Sequence, residues 1–361
     1  MRHFLASLSL LAFSIPSFTA DEKSSKSDPK ADPKTASLGI GDPAPPVKAT
    51  KWMQGKEVRS FAPGKVYVVE FWATWCGPCI VVMPHVSDLQ DEYRDKGVTI
   101  IGFSAKDPNN TEEKVASFVE KRGKKLHYTL AYANDRETRD AYMKAAKQSG
   151  IPCCFVVDKA GKIAFIGHPS LLSEVLPKVV AGTWKGKADA KAVEKSREDF
   201  GDVRAAAKSD PEAGLKAFDA YRAKWPNMAN SMFYATFKLS MLLKLERFPE
   251  AKAEAERLIT VAKKKEDGSG IGRVVSMFVA TDLKLNKELQ SFAVRSAEDA
   301  LKLNGDKDVS TLLLVADAHF AAGDKAKAKA FGAKALDAAE VQQKSYVETR
   351  LKKYSAEEKG S

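Results

Sequence analysis

Two cysteines three positions apart, Cys76 and Cys79 in the stretch "VVEFWATWCGPCIVVMP", are the residues of this sequence best suited to do chemistry. Such a pair can be a redox couple, half of a metal site or a structural staple. Zinc normally takes four ligands, yet the sequence holds no second C-x-x-C and no H-x-x-H, and none of its five histidines is spaced to join a cysteine. The remaining cysteines, Cys153 and Cys154, are adjacent. Their α-carbons lie about 3.8 Å apart across a trans peptide, below the ~4.4 Å that an ordinary disulfide needs. Cys76 and Cys79 are therefore expected to pair with each other, as a redox couple with no metal and no other cofactor.

At the end of a strand and the start of a helix the motif has a physical logic. Pro78 suits a first helical turn, where its fixed φ is already helical and its missing N–H costs nothing. Cys76 then stands at the helix N-terminus, where free N–H groups and the macrodipole favour a thiolate. Cys79 shares its face and can close a small disulfide ring. An exposed Cys76 thiolate would attack a substrate disulfide, and Cys79 would resolve the mixed disulfide. Glu70 interrupts the apolar run "VYVVEFWATW" on the face shared by Val68 and Trp72. Burial there would raise its proton affinity and fit it to receive the proton of Cys79. A carboxylate paired with a nearby lysine is the other reading.

The elements that must hold these residues are legible as alternating patterns. Stretches 66–72, 98–104, 126–131, 154–158 and 162–167 are rich in β-branched and aromatic residues. Between them lie helical patterns at 78–96, 111–122, 136–147 and 171–180. The alternation predicts an α/β fold with a central sheet flanked by helices, made mixed by an antiparallel hairpin at "DKAGKIAFIG". After "AGTWKGKADAKAVEK", expected to be a linker over 183–204, alanine, leucine, lysine and glutamate dominate at helical spacing. Turns near 248, 286 and 323 recur at about 38 residues, which predicts an all-α helical-repeat domain over 205–355. Its best copy, "LLLVADAHFAAGDKAKAKAFGAKALDAAE", places Ala316, Ala328 and Ala335 like the small residues of a tetratricopeptide repeat. "GSGIGR" at 268–273 lacks phosphate-loop context and reads as a turn before a helix. His85 reads as a surface residue, and His168-Pro169 as a structural turn.

Residues 1–20 run from Arg2 and His3 through an apolar stretch to small residues ending at Ala20, the order of a secretory signal peptide. Phe18 is a poor fit to a cleavage site, so an uncleaved membrane anchor is the alternative. Residues 21–37, "DEKSSKSDPKADPKTAS", are expected to be a disordered tether. The formal net charge of +11 is spread over helices that also carry Glu and Asp, without interleaved aromatics, and nucleic acid is not expected as a partner.

"FWATWCGPC" resembles the active site of the thioredoxin superfamily. The wider set "GDPAPPVKATKWMQGKEV", "GVTIIGFSA" and "SGIPCCFVVDKAGKIAFIGHP" resembles its extracytoplasmic TlpA-like branch, over about 38–182. The resemblance implies a buried acid six residues before the first cysteine, a position Glu70 holds. It also implies a helix-kinking proline at Pro84 and a cis proline facing the disulfide at Pro152. Ile151 would offer backbone groups to an extended substrate, and Trp75, Gly77 and Pro78 would complete the substrate-contacting surface. Cys153 departs from the family, which usually has threonine or another small residue there; it reads as a possible extra thiol or a small buried side chain, and Cys154 as core. The expectation is an exported, periplasmic or cell-envelope thiol-disulfide oxidoreductase, with reduction of protein disulfides the first choice because Gly-Pro separates the cysteines. Its partners would be client proteins with disulfides or thiols and a membrane thiol-disulfide electron donor. The helical repeats would serve a protein partner or self-association. The alternatives are a partner-binding scaffold with a secondary redox domain, or the same dithiol acting as oxidase or isomerase.

Overall fold

The computed structural model describes residues 37–280 and 284–355. The expected signal segment and nearly all of the tether lie outside the described residues. The chain divides into two units, Met1–Lys191 and Ala192–Ser361.

The first unit is built on six strands: β1 (Lys51–Gln54), β2 (Val66–Trp72), β3 (Val98–Ala105), β4 (Thr129–Ala133), β5 (Cys153–Val157) and β6 (Ile163–Gly167). They form one sheet in the order β1-β4-β3-β2-β5-β6. β2 pairs in parallel with β3, and β3 with β4, while β1, β5 and β6 run antiparallel to their neighbours. The mixed sheet is the one expected. Every residue of β2 is buried, as a central strand covered on both faces requires.

The helices of this unit are α1 (Gly77–Tyr93), α2 (Glu112–Arg122), α3 (Glu137–Arg139) and α4 (Leu172–Ala181). Strand alternation sends Tyr67, Val69 and Phe71 into a core with Ile101, Phe103, Tyr142 and Phe155. Val68, Glu70 and Trp72 face the other side. There the Trp72 ring lies 5.0 Å from that of Phe118 in α2. Gln90 near the end of α1 donates to Val98 O at 3.0 Å and accepts from Ile100 N at 2.7 Å, tying that helix to β3. Right-handed crossovers place α1 and α2 on the same face of the parallel strands.

Several expectations shift. β1 was not foreseen, because "KWMQ" is short and mostly half-exposed. The fourth strand begins later than the pattern suggested. The helix expected over 136–147 is the single turn of α3 continued by a π-helical Asp140–Lys144.

α5 (Lys187–Ser209) runs across the boundary between the units, and the described residues of the second unit are otherwise helical: α6 (Pro211–Lys224), α7 (Pro226–Asn230), α8 (Met232–Lys244), α9 (Phe248–Lys264), α10 (Gly268–Val279), α11 (Lys287–Asn304), α12 (Val309–Ala321), α13 (Lys325–Ala338) and α14 (Val341–Ser355). α5 occupies most of the stretch expected to be a linker; its charged surface hides a stripe of Ala190, Val193, Phe200, Val203 and Ala207, all buried. "GSGIGR" opens α10 itself, because Asp267 caps the helix by accepting from Gly270 N at 2.7 Å. The expected turns precede α9, α11 and α13, and Asn286 and Asp324 cap the latter two. Each helix from α8 to α14 packs on the next, and α10 also packs on α8 and α12. Ala316, Ala328 and Ala335 are fully buried, where small residues let helices approach.

Candidate active site

The peptide leaving β2 turns sharply, with Cys76 N donating to Ala73 O at 3.0 Å, and α1 starts at the next residue. Cys76 is the N-cap: its backbone is extended and its Sγ accepts from Cys79 N at 3.2 Å. Pro78 occupies the first turn, and no acidic side chain there competes with a thiolate for the helix N-terminus. Cys76 and Cys79 form a disulfide, with α-carbons 5.3 Å apart. Pro84 lies inside the helix.

The loop before β5 meets this turn. The Ile151–Pro152 peptide is cis, and the Ile151 carbonyl oxygen lies 3.8 Å from Cys76 Sγ. Trp75 is 56% exposed, and Gly77 and Pro78 are exposed beside it. The expected exposure of the nucleophile is corrected, since Cys76 is only 4% exposed. Its sulfur is turned inward toward the helix start and Ile151, and the surface above it belongs to its neighbours.

Glu70 is fully buried, and neither carboxylate oxygen has a hydrogen-bond partner. The reading as a lysine-paired carboxylate therefore fails. Burial pushes its pKa up to about 8. Its strand neighbours are Gly102 in β3 and Cys154 in β5. The adjacent thiols part company: Cys154 shares the face of Glu70, while Cys153 pairs with Phe71 and packs in the opposite core. The buried-side-chain reading of Cys153 is thus the one its surroundings fit. His85 corrects another expectation. It is buried, with Nε2 3.5 Å from Ser173 Oγ, because its position in α1 turns it toward α4. His168 is structural, accepting from Ser170 N at 3.1 Å.

Two residues that carry the site were missed. Asn110 is fully buried; its Oδ1 accepts from Thr74 N and Thr74 Oγ1, both at 2.9 Å, and its amide donates to Ser104 Oγ at 2.8 Å and Ala105 O at 2.9 Å. One side chain thus fastens the turn before Cys76 to the end of β3. Asp107 Oδ2 accepts from Trp75 Nε1 at 3.0 Å. The turn-forming run "DPNN" that contains both was the available signal.

A Cys76–Cys79 disulfide at the start of a helix on this mixed sheet is the arrangement of a thiol-disulfide oxidoreductase of thioredoxin-like fold. Residues 40–166 match the family model described as the AhpC/TSA family. Protein FixW of Rhizobium leguminosarum is 34% identical over 154 residues, covering 42% of this chain and 70% of FixW. Thiol-disulfide oxidoreductase ResA of Bacillus anthracis is 33% identical over 127 residues, 35% of this chain and 68% of ResA. A solved thiol:disulfide interchange protein of the thioredoxin family from Chlorobium tepidum is 25% identical, covers 38% of this chain and 87% of its own, and superposes with a TM-score of 0.29. Through its first unit the chain belongs to the AhpC/TSA family, with FixW and the thiol-disulfide oxidoreductase ResA among its relatives. The helical unit lies beyond the matched residues.

Proposed function

We propose that the protein is an exported reductase of protein disulfides. The observation that carries this reading is the Cys76–Cys79 disulfide at the start of α1, with the Ile151 carbonyl 3.8 Å from Cys76 Sγ. In the reduced protein the Cys76 thiolate attacks one sulfur of a client disulfide. A Cys76–client bond forms, the client's own S–S bond breaks, and the leaving client sulfur takes a proton from water. Cys79 then gives its proton to Glu70 and attacks Cys76 Sγ, closing the Cys76–Cys79 bond and expelling the second client sulfur as a thiolate, which takes a proton from water. Two electrons pass from the dithiol to the client, and no further cofactor takes part. A carboxyl raised to about 8 suits this exchange, because its proton affinity is close to that of a thiol.

The exposed Trp75, Gly77 and Pro78 supply apolar surface around the sulfur, and the backbone at Ile151 offers a strand-like edge to an extended client segment. Export follows from the charged, apolar and small-residue order of positions 1–20. Outside the cytoplasm the dithiol must be re-reduced, which assigns a membrane thiol-disulfide carrier as electron donor. The reducing direction rests on Gly77-Pro78 between the cysteines, as in reducing thioredoxins. A tetratricopeptide-like solenoid that recruits clients is supported by the consecutive packing of α8 to α14 and by the buried alanines of α12 and α13. Equilibration in glutathione and dithiothreitol buffers tests the direction. A potential near about −270 mV makes the couple a reductant, and one near −120 mV makes it a disulfide donor.

A further inference from the structure

Three buried polar groups behind the redox couple share one peculiarity. The Glu70 carboxylate, the Trp72 indole N–H and the Tyr128 hydroxyl have no hydrogen-bond partner. Glu70 is fully buried, and Trp72 and Tyr128 are each 2% exposed. An unmade hydrogen bond is expensive in such surroundings, and three together need a physical reason.

Sheet register gathers them. Glu70 pairs with Gly102 across β2 and β3, and Gly102 pairs with Leu130 across β3 and β4. Trp72, two residues after Glu70, and Tyr128, two before Leu130, therefore project to the face that carries Glu70. A Cβ placed on Gly102 would stand 2.8 Å from Tyr128 Cε2 and 3.3 Å from Trp72 Nε1. The phenol ring and the indole N–H thus converge over the backbone position directly beside Glu70, and only a residue without a side chain leaves them room. Two of the groups are donors and the third is an acceptor, so their chemistry is complementary. The charge of Glu70 contributes, after burial, to holding the Tyr128 hydroxyl protonated well above the usual tyrosine range. The phenol therefore remains a donor at any pH at which the enzyme works.

We propose that Tyr128 and Trp72 are positioning residues whose O–H and N–H groups stabilise the charged form of Glu70 through an internal water, keeping it ready for the proton of Cys79. A water with two donors and a carboxylate around it has the partners that buried waters require. Among the described residues, Cys154 of β5 pairs beside Glu70 and shares this face. β3 carries Ile100, Gly102 and Ser104 on this face, none of which titrates, α2 contributes Phe118 against Trp72, and α1 directs His85 toward Ser173 of α4. Burial is what raises the proton affinity of Glu70, and the two orphaned donors on its face are complementary to its charged form. The proposal rests on Glu70 as proton relay and adds the residues that set its readiness.

The test reads Glu70 directly. In the full-length oxidised protein, glutamate side-chain carboxyls labelled with carbon-13 are titrated by NMR, and the Glu70 signal is assigned by its loss in Glu70→Gln. Tyr128→Phe deletes one oxygen and adds no volume; Trp72→Phe is the second variant, and thermal melts check that both fold. Loss of a donor raises the Glu70 midpoint by about one pH unit, a tenfold gain in proton affinity. Midpoints that stay within about 0.2 unit in both variants overturn the proposal, because a packing role would lower stability without moving the titration. The pH profile of the resolving step, followed as release of a mixed disulfide, separates the two ideas. A moved midpoint with an unmoved profile leaves the donors in place and removes Glu70 from the relay. An unmoved midpoint together with a profile that changes in Glu70→Gln does the opposite.

Discussion

Trp75 Nε1 donates to Asp107 Oδ2 at 3.0 Å across 32 positions of sequence, so the indole beside Cys76 is pinned although more than half of it is exposed. A fixed aromatic surface loses little side-chain entropy when a client docks on it. Asp107→Ala frees the ring. The expected outcome is a KM for a protein disulfide raised about threefold to tenfold, the worth of one hydrogen bond, with an unchanged rate on a small organic disulfide. Equal losses on both substrates would place Asp107 in the chemistry instead.

Asn110 has a different task, although it lies only three positions further on. Its four bonds hold the Thr74 turn to Ser104 and Ala105 in a fully buried setting. Asn110→Ala leaves several of those groups unpaired and is expected to cost about 2–4 kcal/mol of stability. Denaturant melts of the two variants make the contrast: Asn110→Ala unfolds at clearly lower denaturant, and Asp107→Ala stays close to the parent.

Glu70 makes stability depend on pH in a stated direction. An unfolded glutamate ionises near 4.5, whereas the folded one keeps its proton to about 8. Between those values the native state binds more protons than the unfolded chain, so stability is greatest below 4.5 and falls as pH rises toward 8. The fall attributable to this group is on the order of 4 kcal/mol. Glu70→Gln, which carries no titrating carboxyl, is expected to be more stable than the parent at pH 8 and close to it at pH 4.5. Parallel pH curves for the two proteins would contradict the burial argument.

A chain ending at Lys191, the boundary between the units, tests recruitment by the helical region. It is expected to reduce a small disulfide at the parent rate. With Cys79→Ser in both lengths, mixed disulfides with Cys76 accumulate and can be identified. The full chain should trap proteins that the short chain loses; identical sets would remove the recruiting role.

The pattern of β-branched residues exposed β2 and β3 almost to the residue, because central strands are continuous apolar runs. β1 escaped because an edge strand of four residues carries no such run. In the site, Cys76, Cys79 and Glu70 were visible because a dithiol motif and a lone carboxylate in an apolar strand are local anomalies. Asn110 and Asp107 were not, since their partners lie 36 and 32 residues away and only the sheet brings them together. The charged surface of α5 concealed its apolar stripe in the same way, so the stretch 183–204 did not read as a helix.

Cys153 and Cys154 sit one residue apart with their sulfurs on opposite sides of the sheet. The pleat makes them two reporters of one molecule. A reagent reaching Cys154 has passed beneath the layer that covers Glu70, while one reaching Cys153 has opened the core of Phe71 and Phe155. Their relative alkylation rates would time the breathing of the two halves separately, with no label introduced and no residue changed.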